Sequence, residues 1–210
     1  MLTIDFFHDT VCCWCYNVSA RMRGLATEFD LDIRHRTFVL QASKQEMAER
    51  WGHPGQAKAT ILGHWKTCRR ASDRPDMVNI DAMARAPFDY PHGMEAALAC
   101  KAAQEVAGQA GHWDMFDRIQ RAHLSEAQNI ADPAVLARLA GEAGFDPIRI
   151  ARLMRDPAIA IAVQADRQRA RRMQVHAIPA LIVRETGTRL INGPLGDLRA
   201  QLRAAQRLAA

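Results

Sequence analysis

The sequence predicts an α/β protein in which strands from both ends of the chain form one sheet and a long helical stretch lies between them. Short apolar segments rich in β-forming residues occur in residues 1–40 and again in residues 175–210. Residues 41–174 show helical periodicity and almost no strand signals. We therefore expect a core built from the two terminal segments and an all-helical insertion domain built from the middle segment.

The amino-terminal segment has the pattern of a β-α-β unit. Residues 2–7, LTIDFF, are short, apolar and bounded by polar residues, which predicts a buried strand. From Cys12 to about Phe29 the apolar residues fall mostly three or four positions apart, which predicts a helix. Residues 31–40, LDIRHRTFVL, follow the period-two pattern of a second strand.

The carboxy-terminal segment has the pattern of a β-β-α unit. Residues 177–183, AIPALIV, predict a strand, Gly187 marks a turn, and residues 188–192, TRLIN, predict a further strand. The last residues, DLRAQLRAAQRLAA, predict an amphipathic helix. This order of elements is that of the thioredoxin fold. We therefore expect an α/β thioredoxin fold (β-α-β … β-β-α) with a large all-helical insertion.

The insertion carries clear signals for the starts of helices. Ser43 and Glu46 have the spacing of a capping box, in which each side chain binds a free backbone amide at the helix start. Asp-Pro pairs at Asp132 and Asp156 open two later helices, because proline is tolerated in the first helical turn. Helices are predicted over residues 55–72, 92–108, 112–126, 132–144 and 156–172.

Composition indicates a globular protein with a hydrophobic core, since 49% of the 210 residues are apolar and 24% are charged. The formal charge is +5, but the densest basic cluster, residues 166–174, has no interleaved aromatic residues that could stack on bases. We interpret this cluster as a solvated helix face and expect no nucleic-acid partner. No apolar run is long enough to cross a membrane, so we expect no membrane partner. The composition does not decide between a monomer and a homodimer.

The number and position of the cysteines point to chemistry instead of structural cross-links. The amino terminus, MLTIDFF, lacks the basic segment and cleavage site of a secretory signal, which favours a cytoplasmic location. In a reducing compartment, five cysteines, an odd number, are not expected to form a disulfide framework. Closely spaced cysteines in such a protein favour catalysis or metal binding.

Three of the cysteines lie at the predicted junction of the first strand and the first helix, in Cys12-Cys13-Trp14-Cys15. The free amides and the dipole at the start of a helix favour the thiolate of Cys12. Cys15 lies on the adjacent helical turn, where it can displace a partner bound to Cys12. We therefore predict that Cys12 attacks and Cys15 resolves. Cys13 is interpreted as a small spacer, and Trp14 as a shield or a substrate contact.

A metal site is not expected at this cluster. A structural zinc site uses four ligands, usually from two cysteine pairs. The remaining cysteines, Cys68 and Cys100, stand alone in predicted helices, where we interpret them as buried small residues. We expect neither a metal nor another cofactor.

A proline far along the chain supports a redox function. Pro179 stands at the start of a predicted strand, and a central strand does not tolerate proline. We expect a cis Ile178–Pro179 bond close to the Cys12–Cys15 pair. The backbone of Ile178 would then face outward beside the active sulfur and bind an extended substrate as an added strand.

These motifs resemble those of the DsbA family of thioredoxin-like proteins, in particular its cytoplasmic FrnE-type branch. The segment DTVCCWCY, from Asp9 to Tyr16, is similar to the family's Asp-x-x-Cys-Pro-Trp-Cys-Tyr motif, with Cys13 in place of proline. Residues 175–183, VHAIPALIV, resemble the family's segment around its cis-proline. The resemblance implies a thiol–disulfide oxidoreductase that exchanges disulfides with protein or small-molecule thiols.

The resemblance also implies which residues assist the cysteines. The supporting residues would be Asp9, Trp14, Ile178 and Pro179. A cleft between core and insertion would bind apolar substrate segments, with Phe38, Tyr90 and His92 as candidate contacts.

Two alternatives remain open at this stage. Glutathione-dependent isomerases of the 2-hydroxychromene-2-carboxylate type and kappa-class transferases share the insertion, but they carry serine at the position of Cys12. Two cysteines argue against that function without excluding it. The other alternative is a noncatalytic redox-sensing module, whose oxidation would change the contacts of the helical insertion.

Overall fold

The computed structural model describes residues 1–209 and contains a four-stranded mixed sheet in the order β2-β1-β3-β4. Strand β1 pairs parallel with β2 and antiparallel with β3, which pairs antiparallel with β4. This sheet confirms the predicted fold class. The strands are Leu2–His8 (β1), Leu31–Thr37 (β2), Ala180–Val183 (β3) and Arg189–Leu190 (β4).

Helix α1 connects β1 to β2, helix α9 follows β4, and seven helices occupy the segment predicted as an insertion. None of the helices within residues 1–209 is both long and apolar enough to cross a membrane. The helices are Cys13–Leu25 (α1), Lys44–Trp51 (α2), Pro54–Arg70 (α3), Ile80–Arg85 (α4), Met94–Leu124 (α5), Pro133–Glu142 (α6), Pro147–Leu153 (α7), Pro157–Arg172 (α8) and Leu195–Ala209 (α9).

The predicted helix starts are confirmed by their hydrogen bonds. The Ser43 hydroxyl accepts from the Glu46 amide at 3.1 Å, and the Glu46 carboxylate accepts in return from the amide of Ala42 at 2.7 Å. Asp132 and Asp156 each cap their helix through a backbone amide two residues later. These side chains satisfy amides that have no partner within the helix.

Several predicted strand boundaries were wrong. Strand β2 ends at Thr37 instead of residue 40, since Val39 has a φ of 59°, in the left-handed region that strands do not use. Strand β3 begins only at Ala180, after Pro179. The helices predicted separately over 92–108 and 112–126 both lie within Met94–Leu124 (α5), and the non-helical backbone at Ala107 and Gly108 confirms the predicted break between them.

The sheet and the helical insertion share one hydrophobic core. Phe6 of β1, Trp65 of α3 and Phe116 of α5 belong to the same buried cluster, and each is at most 1% exposed. The insertion therefore packs directly onto the sheet, and this contact brings residues of α3 and α5 to the end of β1.

The basic cluster at residues 166–174 is not a purely solvated face, contrary to the prediction. Asp166 is buried and forms ion pairs with Lys101 at 2.5 Å and Arg36 at 3.1 Å. Arg169 pairs with the buried Asp5 of β1 at 2.8 Å. One side of α8 therefore docks onto the sheet through charges, a contact that helical periodicity of apolar residues does not reveal.

Candidate active site

The cysteine cluster lies where β1 ends and α1 begins. Cys12 is the N-cap residue of α1, one position before the first helical residue, and no side chain caps this helix end. The Cys12 amide donates to the Asp9 carbonyl at 3.1 Å, and the Cys15 amide donates to the Cys12 carbonyl at 3.0 Å. Cys12 thus lies at the positive end of the helix dipole.

Cys12 and Cys15 differ in access to solvent. Cys12 is 8% exposed and Cys15 is fully buried. Burial, together with the neighbouring Cys12 thiol, raises the pKa of Cys15 well above its ordinary value. Cys15 is therefore held as a neutral thiol behind Cys12.

The predicted cis Ile178–Pro179 bond is confirmed. The carbonyl of Ile178 accepts a long hydrogen bond of 4.0 Å from the Cys12 thiol. The loop before β3 therefore reaches the end of β1 and places a backbone acceptor directly beside the sulfur.

Asp9 stabilises the conformation of the loop between β1 and α1. Its carboxylate accepts from the amides of Leu40 at 2.6 Å and Val11 at 3.3 Å, and burial raises its pKa. Gly93 lies so close that a Cβ on it would be 2.4 Å from the Asp9 carboxylate. A larger residue at position 93 would displace Asp9, so the glycine is needed for this close approach.

Two residues of the insertion contact the same loop, and sequence patterns did not single out this role. The Gln120 side-chain amide of α5 donates to the Cys12 carbonyl at 2.9 Å. The Tyr90 hydroxyl donates to the Val11 carbonyl at 3.0 Å and accepts from the Trp65 indole at 3.2 Å. A buried glutamine and a buried tyrosine give no periodic signal, so only the packing of the insertion on the loop reveals them.

A cavity of about 490 Å³ lies beside Cys12, between the core and the insertion. Three of the predicted contacts, Trp14, Phe38 and Tyr90, line it together with Cys12 and Ile178. The other walls come mainly from α2 and α3 and from the segment before β3. Their side chains include Arg50, Trp51, Ile61, His64, Trp65 and His176.

His92 is the predicted contact that lies elsewhere. It lines a neighbouring cavity of about 290 Å³, which Tyr90 also borders but Cys12 does not. His92 follows Tyr90 by two residues, and the chain between them passes from one cavity wall to the next.

One group of histidines within residues 1–209 has the proximity needed for metal binding. His8, His35 and His112 are buried and offer ring nitrogens within 4.8 Å of one another. His8 Nε2 and His35 Nδ1 already share a hydrogen bond of 3.2 Å, and the opposite nitrogens of both rings have no partner. An ion bound by the bonded nitrogens would leave two buried N–H groups unpaired, whereas metal-bound histidines donate that proton to an acceptor. We therefore assign no metal to this cluster.

Comparison with known proteins places these features in a family. A curated relative, the ClpXP adapter protein SpxH of Shouchella clausii, is 28% identical over 183 residues, which cover 86% of this chain. The match spans only 57% of that relative's length.

Two solved structures have the same fold. A candidate protein disulfide isomerase from Nitrosomonas europaea aligns with a TM-score of 0.81 at 18% identity, covering 100% of this chain and 99% of its own. The cytosolic disulfide reductase DsbM of Pseudomonas aeruginosa aligns with a TM-score of 0.77 at 23% identity, covering 99% and 100%. The latter protein has also been solved with GSH.

The family profile described as DSBA-like thioredoxin domain matches residues 3–195. This range includes the four strands, the cysteine cluster, the cis-proline and the whole helical insertion. The chain therefore belongs to the family of DSBA-like thioredoxin domains.

Proposed function

We propose that the chain is a cytoplasmic thiol–disulfide oxidoreductase of the FrnE type, in which Cys12 attacks a substrate disulfide and Cys15 resolves the mixed disulfide. The asymmetry of the two thiols carries this proposal. Cys12 lines the cavity at a helix start, while Cys15 is fully buried next to it. Attack and resolution need this division between an accessible and a protected sulfur.

The reaction proceeds by two exchanges at the Cys12 sulfur. The Cys12 thiolate attacks one sulfur of the substrate disulfide, and the other substrate sulfur leaves as a thiolate and takes up a proton. Cys15 then loses its proton and attacks Cys12, which forms the Cys12–Cys15 disulfide and releases the second substrate thiol. The substrate gains two electrons and two protons, and the cysteine pair loses them; the same steps in reverse oxidise a dithiol.

The surroundings of Cys12 favour small or extended disulfides as substrates. The Ile178 carbonyl beside the sulfur can accept from the backbone of an extended chain. Arg50 supplies a cation in an otherwise largely apolar cavity, which suits a carboxylate-bearing peptide thiol. We include mixed disulfides of glutathione among the substrates, and the GSH complex of the Pseudomonas protein supports this choice.

Trapping distinguishes the two cysteines. Cys15→Ser is expected to accumulate mixed disulfides with peptide or protein thiols, because the attacking sulfur remains and the resolving sulfur is gone. Cys12→Ser is expected to accumulate none. Non-reducing gels and mass spectrometry measure both, with Cys100→Ser, a buried cysteine of α5, as the matched control that behaves like the unchanged protein. Equal trapping by the two active-site variants would contradict the assignment.

The same variants separate the rival functions. A glutathione-dependent isomerase or transferase would keep its activity in Cys12→Ser, since those enzymes carry serine there. A noncatalytic redox-sensing binding module would catalyse no turnover of disulfides in the unchanged protein, and the name of the curated relative, an adapter protein, is compatible with such a binding function.

A further inference from the structure

Two cysteines outside the proposed mechanism meet at the base of the active site. Cys13 is the first helical residue of α1, and Cys68 lies near the end of α3 in the insertion. They are far apart in sequence, and the sequence indicated a small spacer at Cys13 and a buried small residue at Cys68. Both are buried, at 4% and 0% exposure.

The contact between them rests on two observations. Cys68 is the neighbour that raises the pKa of Cys13 most, which indicates that the two side chains lie next to each other. The Cys68 sulfur also accepts from the Asn17 side-chain amide at 3.4 Å. Asn17 follows Cys13 by one helical turn, so Cys68 packs against the face of α1 that carries both residues. This face is distinct from the one on which Cys15 meets Cys12.

We propose that Cys13 and Cys68 form a second dithiol–disulfide centre, which a low-molecular-weight disulfide oxidises to a cross-link between α1 and α3. Cys13 lines the same cavity as Cys12, and a small disulfide would approach it from that cavity. The fully buried Cys68 would then resolve the mixed disulfide on Cys13, as Cys15 does for Cys12. The centre adds a second redox function to the one proposed above and does not depend on it.

The two steps balance without any further reagent. The Cys13 sulfur, after losing its proton, attacks the small disulfide RSSR to form Cys13–S–S–R and one RSH. The Cys68 sulfur, likewise deprotonated, displaces the second RSH and forms the Cys13–Cys68 disulfide. The cysteines lose two hydrogens and two electrons, and the small disulfide becomes two thiols.

The cross-link would join two walls of the cavity. Ile61, His64 and Trp65 of α3 face the cavity opposite the start of α1. The contact with Cys68 and burial both raise the pKa of Cys13, so the exchange should be slow at neutral pH and faster as the pH rises.

The test uses the full chain with Cys12→Ala and Cys15→Ala, which removes the first pair and leaves three cysteines. After incubation with excess hydroxyethyl disulfide above neutral pH, the remaining thiols are alkylated under denaturing conditions. Intact mass spectrometry should show a loss of about 2 Da and a single alkylated cysteine, Cys100. Peptide mapping should show Cys13 joined to Cys68.

Matched variants make the result specific. Adding Cys68→Ala should abolish the cross-link and leave at most a mixed disulfide on Cys13, whereas adding Cys100→Ser should leave the cross-link intact. Three alkylated cysteines after oxidation, or cross-links only between separate chains, would overturn the inference.

This outcome is separable from that of the proposed function. In a chain with only Cys68→Ala, Cys12 and Cys15 remain, and disulfide exchange should continue. Loss of Cys12–Cys15 exchange with the Cys13–Cys68 cross-link retained would contradict only the proposed function, and the reverse result only the second centre.

Discussion

Asp5 and Asp9 are both buried aspartates, one in the middle of β1 and one just after its end, but their hydrogen-bond partners differ and their pKa values shift in opposite directions. Asp5, in the middle of β1, is fully buried and binds Arg36, Arg169 and Arg184 at 2.7–2.8 Å. Burial alone would raise its pKa, but these arginines lower it to about 2. Asp9, just after β1, is 4% exposed, receives backbone N–H groups and no cation, and burial raises its pKa.

The difference separates a structural site from the candidate active site. Asp5 joins β1 to β2, α8 and the residue after β3, so its charge is neutralised where the sheet is assembled. Asp9 joins the loop before Cys12 to the segment after β2 through the amides of Val11 and Leu40. Pairing with cations thus marks the scaffold, and a buried carboxyl group held only by amides lies at the end of the strand that carries the candidate active site.

The largest effect is expected from Asp5→Asn. Removing the carboxylate leaves three arginines without their shared partner, and breaking a buried ion pair costs about 3–5 kcal/mol. We expect the free energy of unfolding to fall by about 3 kcal/mol, at the lower end of this range, because the arginines are 19–35% exposed and regain some hydration. Urea unfolding measures the loss, and disulfide exchange per folded molecule should stay unchanged.

Asp9→Asn is the comparison variant. It keeps one oxygen acceptor and should cost less, about 1–3 kcal/mol, for the amide that loses its partner. A larger loss for Asp9→Asn than for Asp5→Asn would reverse the contrast between the two carboxyl groups.

The pH dependence of stability should come from histidines on the other face of β1. Burial lowers the pKa of His8 to about 3 and holds those of His35 and His112 well below their ordinary value. Below about pH 6.5 the unfolded chain takes up protons that the folded chain does not. Stability should therefore fall as the pH drops from about 6.5 toward 3, by up to about 1.4 kcal/mol per pH unit for His8 alone.

Asp5 behaves differently, because its lowered pKa preserves its contribution until the pH drops below the unfolded value of 3.8. Urea unfolding between about pH 7 and pH 5 therefore excludes Asp5, and the histidines lower stability there against the opposing contribution of Asp9, whose pKa is raised. The His112→Leu variant should show a shallower decline. An equally steep decline in His112→Leu and in the unchanged protein would contradict the assignment of neutral buried imidazoles.

Gly93→Ala tests the close approach to Asp9. The added Cβ would lie 2.4 Å from the carboxylate, so we expect a loss of about 1–3 kcal/mol from overpacking, together with slower exchange at Cys12. Gly24→Ala in α1 is the matched control, because no heavy atom lies within 4 Å of its added Cβ. That control should be neutral or gain about 0.5–1 kcal/mol from helix propensity. Equal effects of the two changes would indicate that the Asp9 loop relaxes freely.

The smallest effect is expected at a carboxylate outside the core. Glu28 binds Arg199 through two hydrogen bonds of 2.6 and 2.7 Å, a geometry as good as that of Asp5. Water solvates both groups, so Glu28→Gln should leave the urea midpoint unchanged within error. A loss comparable to that of Asp5→Asn would show that burial is not what distinguishes the two pairs.

Local patterns predicted the elements well where one short-range cause acts. Ser43, Asp132 and Asp156 start helices because each cap needs only residues a few positions away. The predicted strand boundaries were wrong where contacts with residues distant in sequence determine the backbone conformation. Val39 leaves the strand conformation just before Leu40, whose amide binds Asp9, and no local pattern reports this.

The features of the candidate site likewise fall into those that the sequence predicts and those that depend on tertiary packing. The sequence by itself determined the position of Cys12 at a helix start and the spacing to Cys15. It also determined the absence of a membrane-spanning run and the expectation of a cis bond before Pro179. These features follow from neighbouring residues or from a motif resemblance. Only the tertiary structure decided which distant side chains meet there. Helices α3 and α5 of the insertion bring Cys68 against Cys13 and Gln120 against the Cys12 carbonyl. Such contacts depend on how the helices pack across one shared core, and that packing has no period along the chain.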